Sequence, residues 1–170
     1  MPIIVLGQFL FSISLYLCAM NITPVRQYNE LVYYIMELQQ IYGLRISEVL
    51  GLKQSNRIAG NSFYCKILKG GVDKIIIINN IDRVLKLSNA TDGFIFGSVN
   101  STTVHRCCVK FGLFIKKDGR KRRATTHVFR NEFANKIHTQ FNDVNITKDL
   151  LSHKSKKSQE YYIKFEKNNK

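Results

Sequence analysis

Apolar positions first fall into a regular pattern after Thr23-Pro24, where Thr is placed to cap a helix and Pro to occupy its first turn. Tyr28, Leu31, Val32, Ile35, Leu38 and Tyr42 then recur at helical spacing, and Gly43 marks the stop. A second helix is predicted to begin near Arg45 and to carry Ile46, Val49 and Leu50 inward. The period then changes. Phe63–Leu68 and Lys74–Asn79 read as strands, the latter with four consecutive isoleucines, and Lys69-Gly70-Gly71 between them predicts a β-hairpin turn. Ser101 to about Lys116 returns to the helical period, with Val104, Cys108, Phe111 and Ile115 on one side. Lys116–Arg123 holds six basic residues with Asp118 and Gly119, which predicts a solvated loop. Helical spacing resumes from His127 to Phe141, and two short helices are expected around Lys148–Leu151 and Ser158–Phe165. The pattern therefore predicts an α+β domain, mostly helical, with a small antiparallel β-sheet.

Residues 1–20 stand apart, because they carry no charged side chain and are interrupted only by Gln8, Ser12 and Ser14 among polar groups of any size. Their hydropathy is that of a membrane span, but no basic segment precedes them as in a secretory signal. A packed helix or the remnant of a lost domain is the favoured expectation, and a membrane anchor the disfavoured one. The remaining segment, 21–170, is long enough for one domain with a sizeable core, at 45% hydrophobic overall. Charge narrows the partners: 26 Lys+Arg against 12 Asp+Glu give a net +14, which calls for a polyanion such as nucleic acid or an anionic membrane surface. Abundant Asn, Lys, Ile, Tyr and Phe also indicate an AT-rich genome, an organelle such as a plastid, a plasmid or a phage, and part of the charge reflects that bias. Cys18, Cys65, Cys107 and Cys108 include no C-x-x-C pair, so neither a zinc site nor a disulfide scaffold is expected, and buried free thiols are.

The polar residues at helix starts and turns carry the chemistry. Arg45 and Glu48 are three apart and share a helix face, with Arg45 at a helix N-terminus where a guanidinium and open N–H groups can hold a phosphate. His127 and Arg130 repeat that spacing. Lys69 is at the hairpin tip, and His153 precedes Tyr162 by nine residues with Lys154, Lys156 and Lys157 between them. Cationic groups of this kind stabilise a pentacovalent phosphate, and a tyrosine hydroxyl supplies a nucleophile. Each residue alone has an ordinary reading as a surface ion pair, a solvated lysine, a helix cap or a core ring; order and spacing make the case.

Gly43-Leu44-Arg45-Ile46-Ser47-Glu48-Val49-Leu50-Gly51-Leu52 resembles the first arginine box of the tyrosine recombinases, the phage-integrase family. His127-Val128-Phe129-Arg130 followed by Phe133-Ala134 is similar to that family's H-x-x-R box, and Leu151-Ser152-His153 with Tyr162 is similar to its closing L-G-H…Y segment. Lys69 falls where the family carries its hairpin lysine. The resemblance covers about Thr23 to Phe165 and implies the fold of that family's catalytic domain. It implies Tyr162, not its neighbour Tyr161, as the nucleophile that forms a 3′-phosphotyrosyl bond. It further implies Arg45 and Arg130 as phosphate clamps, Lys69 as the acid on the leaving 5′-oxygen, His127 as a proton carrier, His153 as a phosphate donor and Glu48 as their support. No metal or other cofactor is implied, since the phosphotyrosine conserves the bond energy. The partner is double-stranded DNA, with Lys116, Lys117, Arg120, Lys121, Arg122, Arg123, Lys154, Lys156 and Lys157 as expected backbone contacts.

Asn131, Glu132 and Ser152 depart from the family's usual histidine, small residue and glycine, without touching the implied catalytic groups. The short stretch before Arg45 leads to the expectation that the family's N-terminal DNA-clamping domain is absent. On that expectation the chain assembles on DNA as a dimer or tetramer, or a partner supplies the clamp. The function implied is site-specific DNA recombination or integration, in whichever compartment holds the DNA. The alternatives are a DNA-binding remnant of a mobile element without turnover, and a nicking-closing enzyme of the type IB topoisomerase kind.

Overall fold

The computed structural model describes residues 21–68, 73–89, 92–113 and 128–151, and at its centre lies a helix buried on nearly every side. Outside the described residues fall the apolar segment 1–20 with Cys18, the hairpin turn with Lys69, the basic loop Lys116–Arg123, and His127. The closing stretch from Ser152 falls outside as well, with His153, Lys154, Lys156, Lys157, Tyr161, Tyr162 and the helix expected over Ser158–Phe165.

The single helix expected from Thr23 to Tyr42 is two, α1 (Thr23–Tyr28) and α2 (Glu30–Tyr42). Asn29 divides them: it is extended at φ −151°, ψ 99°, and its side chain accepts from the Val32 N–H at 3.1 Å, capping α2. Thr23 is likewise not the cap of α1. Asn21 accepts from the Thr23 N–H at 3.0 Å, so Ile22 holds the cap position and the helix starts one residue early. In α2, Leu31, Val32, Tyr34, Ile35, Met36, Leu38, Ile41 and Tyr42 are all buried, as expected of a helix that other elements surround.

Gly43 ends α2 in the left-handed region at φ 63°, as the sequence predicts, with its N–H on Gln39 O at 3.0 Å. It is also crowded: a Cβ here would stand 2.5 Å from Cδ1 of the Phe133 ring. Backbone handedness and close approach therefore both demand glycine. Gly43→Ala is expected to cost about 2–4 kcal/mol, combining left-handed strain with overpacking, and a lower urea midpoint at unchanged slope will report it.

Short helix α3 (Ile46–Leu50) follows with Val49 buried and Ile46 and Leu50 packed at the margin of the core. The sheet has the order β1 (Arg57–Ala59), β2 (Ser62–Cys65), β3 (Lys74–Ile77), all antiparallel, with Phe63 opposite Ile76 and Cys65 opposite Lys74. Phe63, Cys65, Ile76 and Ile78 line its buried face. β2 is shorter than the predicted Phe63–Leu68 because the next amides leave the ladder: Ile67 N–H donates to Asp73 at 2.8 Å and Leu68 N–H to Glu48 at 3.2 Å. The Ile77 N–H donates to the Tyr42 hydroxyl at 2.9 Å and moors the sheet on α2.

The structure adds three elements beyond the predicted set, a short 3-10 helix (Gln54–Asn56), the exposed edge strand β1 and helix α4 (Ile81–Ser88). Helix α5 (Ser101–Lys110) ends earlier than the predicted Lys116. Gly112 at φ 58° turns the chain left-handed, and Gly112 and Leu113 return their N–H groups to Val109 O and Cys108 O, both at 3.2 Å. Helix α6 (Val128–Phe141) matches its predicted extent within one residue. Helix α7 (Val144–Leu151) begins four residues before the predicted Lys148, because Asp143 accepts from the Asn145 N–H at 2.7 Å and caps it there. Phe133, Ala134, Ile137 and Leu151 form the α6–α7 seam beside the main core. Cys65, Cys107 and Cys108 are buried free thiols, and burial pushes Cys65 and Cys108 up to about 12, away from any nucleophilic role. Among the described residues no helix is long and apolar enough to cross a membrane.

Candidate active site

The arginine box is organised by a carboxylate. Arg45 is the N-cap residue of α3, with extended backbone at φ −73°, ψ 151°. Glu48, three residues on, accepts the Arg45 N–H at 2.7 Å through one oxygen and the Arg45 Nη1 at 2.8 Å through the other. The second oxygen also takes the Leu68 N–H at 3.2 Å. Glu48 is only 3% exposed, and a buried carboxylate needs such donors to offset its lost hydration. Arg45 keeps 17% of its side chain exposed, so one end is held by Glu48 while the residue still reaches the surface.

Arg130 is placed differently. Exposed by only 2%, it projects from the first turn of α6 and donates Nη1 to Gly43 O at 2.5 Å and Nη2 to Leu151 O at 2.6 Å. One guanidinium thus joins the end of α2, the start of α6 and the end of α7. The carbonyls at the end of α2 are taken in succession by three elements. Tyr42 O accepts from Lys74 Nζ of β3 at 2.9 Å, Gly43 O from Arg130 of α6, and Leu44 O from Gln39 Nε2 of α2 itself at 3.3 Å. A helix C-terminus carries partial negative charge, which favours the two cations gathered there.

Lys74, which the sequence offers only as an alternative acid should Lys69 not serve, adjoins the cluster. It stands opposite the buried Cys65 and in phase with buried Ile76 and Ile78, so the strand period itself turns it toward the core. Its Nζ lies 5.9 Å from the Phe133 ring centroid. Burial pulls the Lys74 ammonium down to about 7, repulsion from Arg130 and Arg45 adds to the fall, and Glu48 and Cys65 oppose it. Both arginines and the glutamate are thus near enough to Lys74 to act on its charge.

Of the residues predicted from sequence, the described structure therefore brings Arg45, Glu48 and Arg130 together. Lys69, His127, His153 and Tyr162 lie outside the described residues, as does the basic set. The neighbours of three of them are nevertheless bonded into the cluster or adjoin it. Leu68, before Lys69, is bonded to Glu48; Leu151, two residues before His153, accepts from Arg130; and α6 starts directly after His127. Among the described residues no three His, Cys, Asp or Glu side chains are grouped to hold a metal ion.

The sequence matches the phage integrase family over residues 17–169, which is nearly its whole length. The chain belongs to the phage integrase family. Among solved structures, this integrase-family chain is similar to XerA recombinase, at 22% identity and a TM-score of 0.60 over 81% of this chain and 54% of that one. A lambda integrase dimer bound to a COC′ core site gives 22% identity and a TM-score of 0.60, over 83% and 44% of the two chains. The lambda integrase catalytic core gives 21% identity and a TM-score of 0.57, over 78% of this chain and 85% of that one. The integrase-family chain thus spans about half the length of the first two and most of the catalytic core. The fold is that of tyrosine-recombinase catalytic domains, as the sequence motifs imply. No curated protein sequence matches it.

Proposed function

We propose that this chain is the catalytic domain of a site-specific DNA recombinase or integrase that cuts and rejoins duplex DNA through a tyrosine. The observation that carries the reading is the convergence of Arg45, Glu48 and Arg130 at the end of α2, in a chain of the phage integrase family. Two guanidiniums, one steadied by a carboxylate and one by two carbonyls, suit a phosphodiester whose charge grows in the transition state.

In the proposed step the Tyr162 oxygen attacks the scissile phosphorus while the bond from phosphorus to the 5′-oxygen breaks. His127 helps to take the tyrosine proton, and Lys69 gives a proton to the leaving 5′-oxygen. Arg45, Arg130 and His153 hold the non-bridging oxygens. The product is a 3′-phosphotyrosine and a free 5′-hydroxyl, and attack by a 5′-hydroxyl reverses the step. The chemistry exchanges one phosphodiester for another, so no metal or nucleotide is called for. Double-stranded DNA is the proposed partner, and a related lambda integrase bound to its core site as a dimer supports assembly of copies on DNA.

Incubation with a library of nicked suicide duplexes drawn from the encoding genome tests the reading, since a covalent protein–DNA adduct supports it and its absence on every site refutes it. Within that assay Arg45→Ala should slow adduct formation by about 10²–10³. Duplex binding should weaken far less, because many of the 26 Lys+Arg contribute to it. Arg130→Ala should show the same kinetic loss and also lower stability by about 2–4 kcal/mol, because two buried carbonyls lose a charged donor. Single-turnover kinetics, gel shift and urea unfolding separate these effects. Equal losses of binding and cleavage would make the arginines phosphate anchors only.

A further inference from the structure

Lys74 has no part in the proposed reaction, yet Arg130, Glu48 and Arg45 all act on its charge. It opens β3, and its ammonium is bonded to Tyr42 O at 2.9 Å. After β2, the Leu68 N–H is held by Glu48. Tyr42 O and Gly43 O are consecutive carbonyls, so Lys74 and Arg130 grip adjacent peptide units just before Arg45. Displacing one of them moves the acceptor of the other.

We infer that Lys74 is a positioning residue, whose charged ammonium holds the start of β3 against the end of α2 and thereby sets Arg45 and Arg130 in register around the phosphate. The inference rests on the recombinase reading above. The titratable groups facing Lys74 among the described residues are Arg45 and Glu48 from the arginine box, Arg130 from α6 and the neutral Cys65 thiol from β2. Two of them are cations that disfavour its charge, and a bound phosphate would favour it. The free protein therefore holds Lys74 near the midpoint of its titration at about 7, and DNA drives it to the charged form.

The test is adduct formation on a suicide duplex between pH 5.5 and 9, for the parent, Lys74→Met and Lys74→Arg, with thermal unfolding of each. At limiting DNA the parent's rate should fall as pH rises through about 7, and this limb should move upward at saturating DNA. Lys74→Met should bind duplex as the parent does, lose about 10- to 100-fold in rate, and lack that limb. Lys74→Arg, charged at every pH, should recover most of the rate and also lack the limb. A Lys74→Met protein at the parent's rate, or the limb persisting in both variants, overturns the inference. A measurement independent of turnover guards against misfolded variants: NMR of the Arg45 and Arg130 side chains in the parent, Lys74→Met and Lys74→Arg. Signals that move in Lys74→Met and return in Lys74→Arg support the inference even if no adduct forms and the recombinase reading fails, whereas signals unmoved in Lys74→Met overturn it.

Discussion

Tyr162→Phe should leave no covalent adduct on a suicide duplex, while Tyr161→Phe should leave the adduct largely intact. The substitution removes one oxygen and keeps the ring, so duplex binding should persist as the bond-forming step disappears. The effect is all-or-none because a nucleophile, unlike a transition-state donor, has no partial substitute in the proposed step. The choice between adjacent tyrosines rests on the nine residues from His153 to Tyr162, the spacing of the family's closing segment. A denaturing gel with end-labelled duplex gives the answer directly. The reverse pattern would make Tyr161 the nucleophile, and a parent protein without adduct would make the chain a DNA-binding remnant.

Lys69→Ala should slow cleavage of an ordinary phosphodiester by about 10²–10⁴, the usual contribution of a general acid. The described residues before and after Lys69 are held, Leu68 by Glu48 and Lys74 by Tyr42 O. Sulfur in place of the bridging 5′-oxygen makes a leaving group that needs no proton. On that substrate Lys69→Ala should recover most of its rate, while Arg45→Ala should remain slow. If Lys69→Ala stays equally slow with sulfur, the lysine is a backbone contact and Lys74 or His127 becomes the next candidate acid.

The parts of the site legible in the sequence are those whose partners are close along the chain. Gly43 and the Arg45–Glu48 pair lie within six residues, and their geometry follows from a helix stop and a helix start. The break at Asn29 was not legible, since the apolar spacing runs straight through it and a single side-chain cap decides. Edge strand β1 has no alternation to read, because all three of its residues are exposed. The phase of Lys74 with Ile76 and Ile78 was present in the sequence, but a lysine at a strand start is ordinarily solvated. The position of Arg130 was beyond reach for a different reason. Its partners are main-chain oxygens 87 and 21 residues away, and no side chain at either place advertises them.

Main-chain acceptors have a consequence for how this cluster drifts over evolutionary time. A carbonyl oxygen is supplied by whatever residue occupies the position, so replacement of Leu44 or Leu151 by another apolar side chain leaves the acceptor in place. What the arrangement does not tolerate is a change in count. One residue inserted or deleted between Tyr42 and Arg45 would shift the carbonyls that Arg130 and Gln39 hold and turn the Arg45–Glu48 pair as a unit away from Arg130. The cluster is therefore permissive toward spelling and strict about length, which lets a fold keep its shape while most of its letters change.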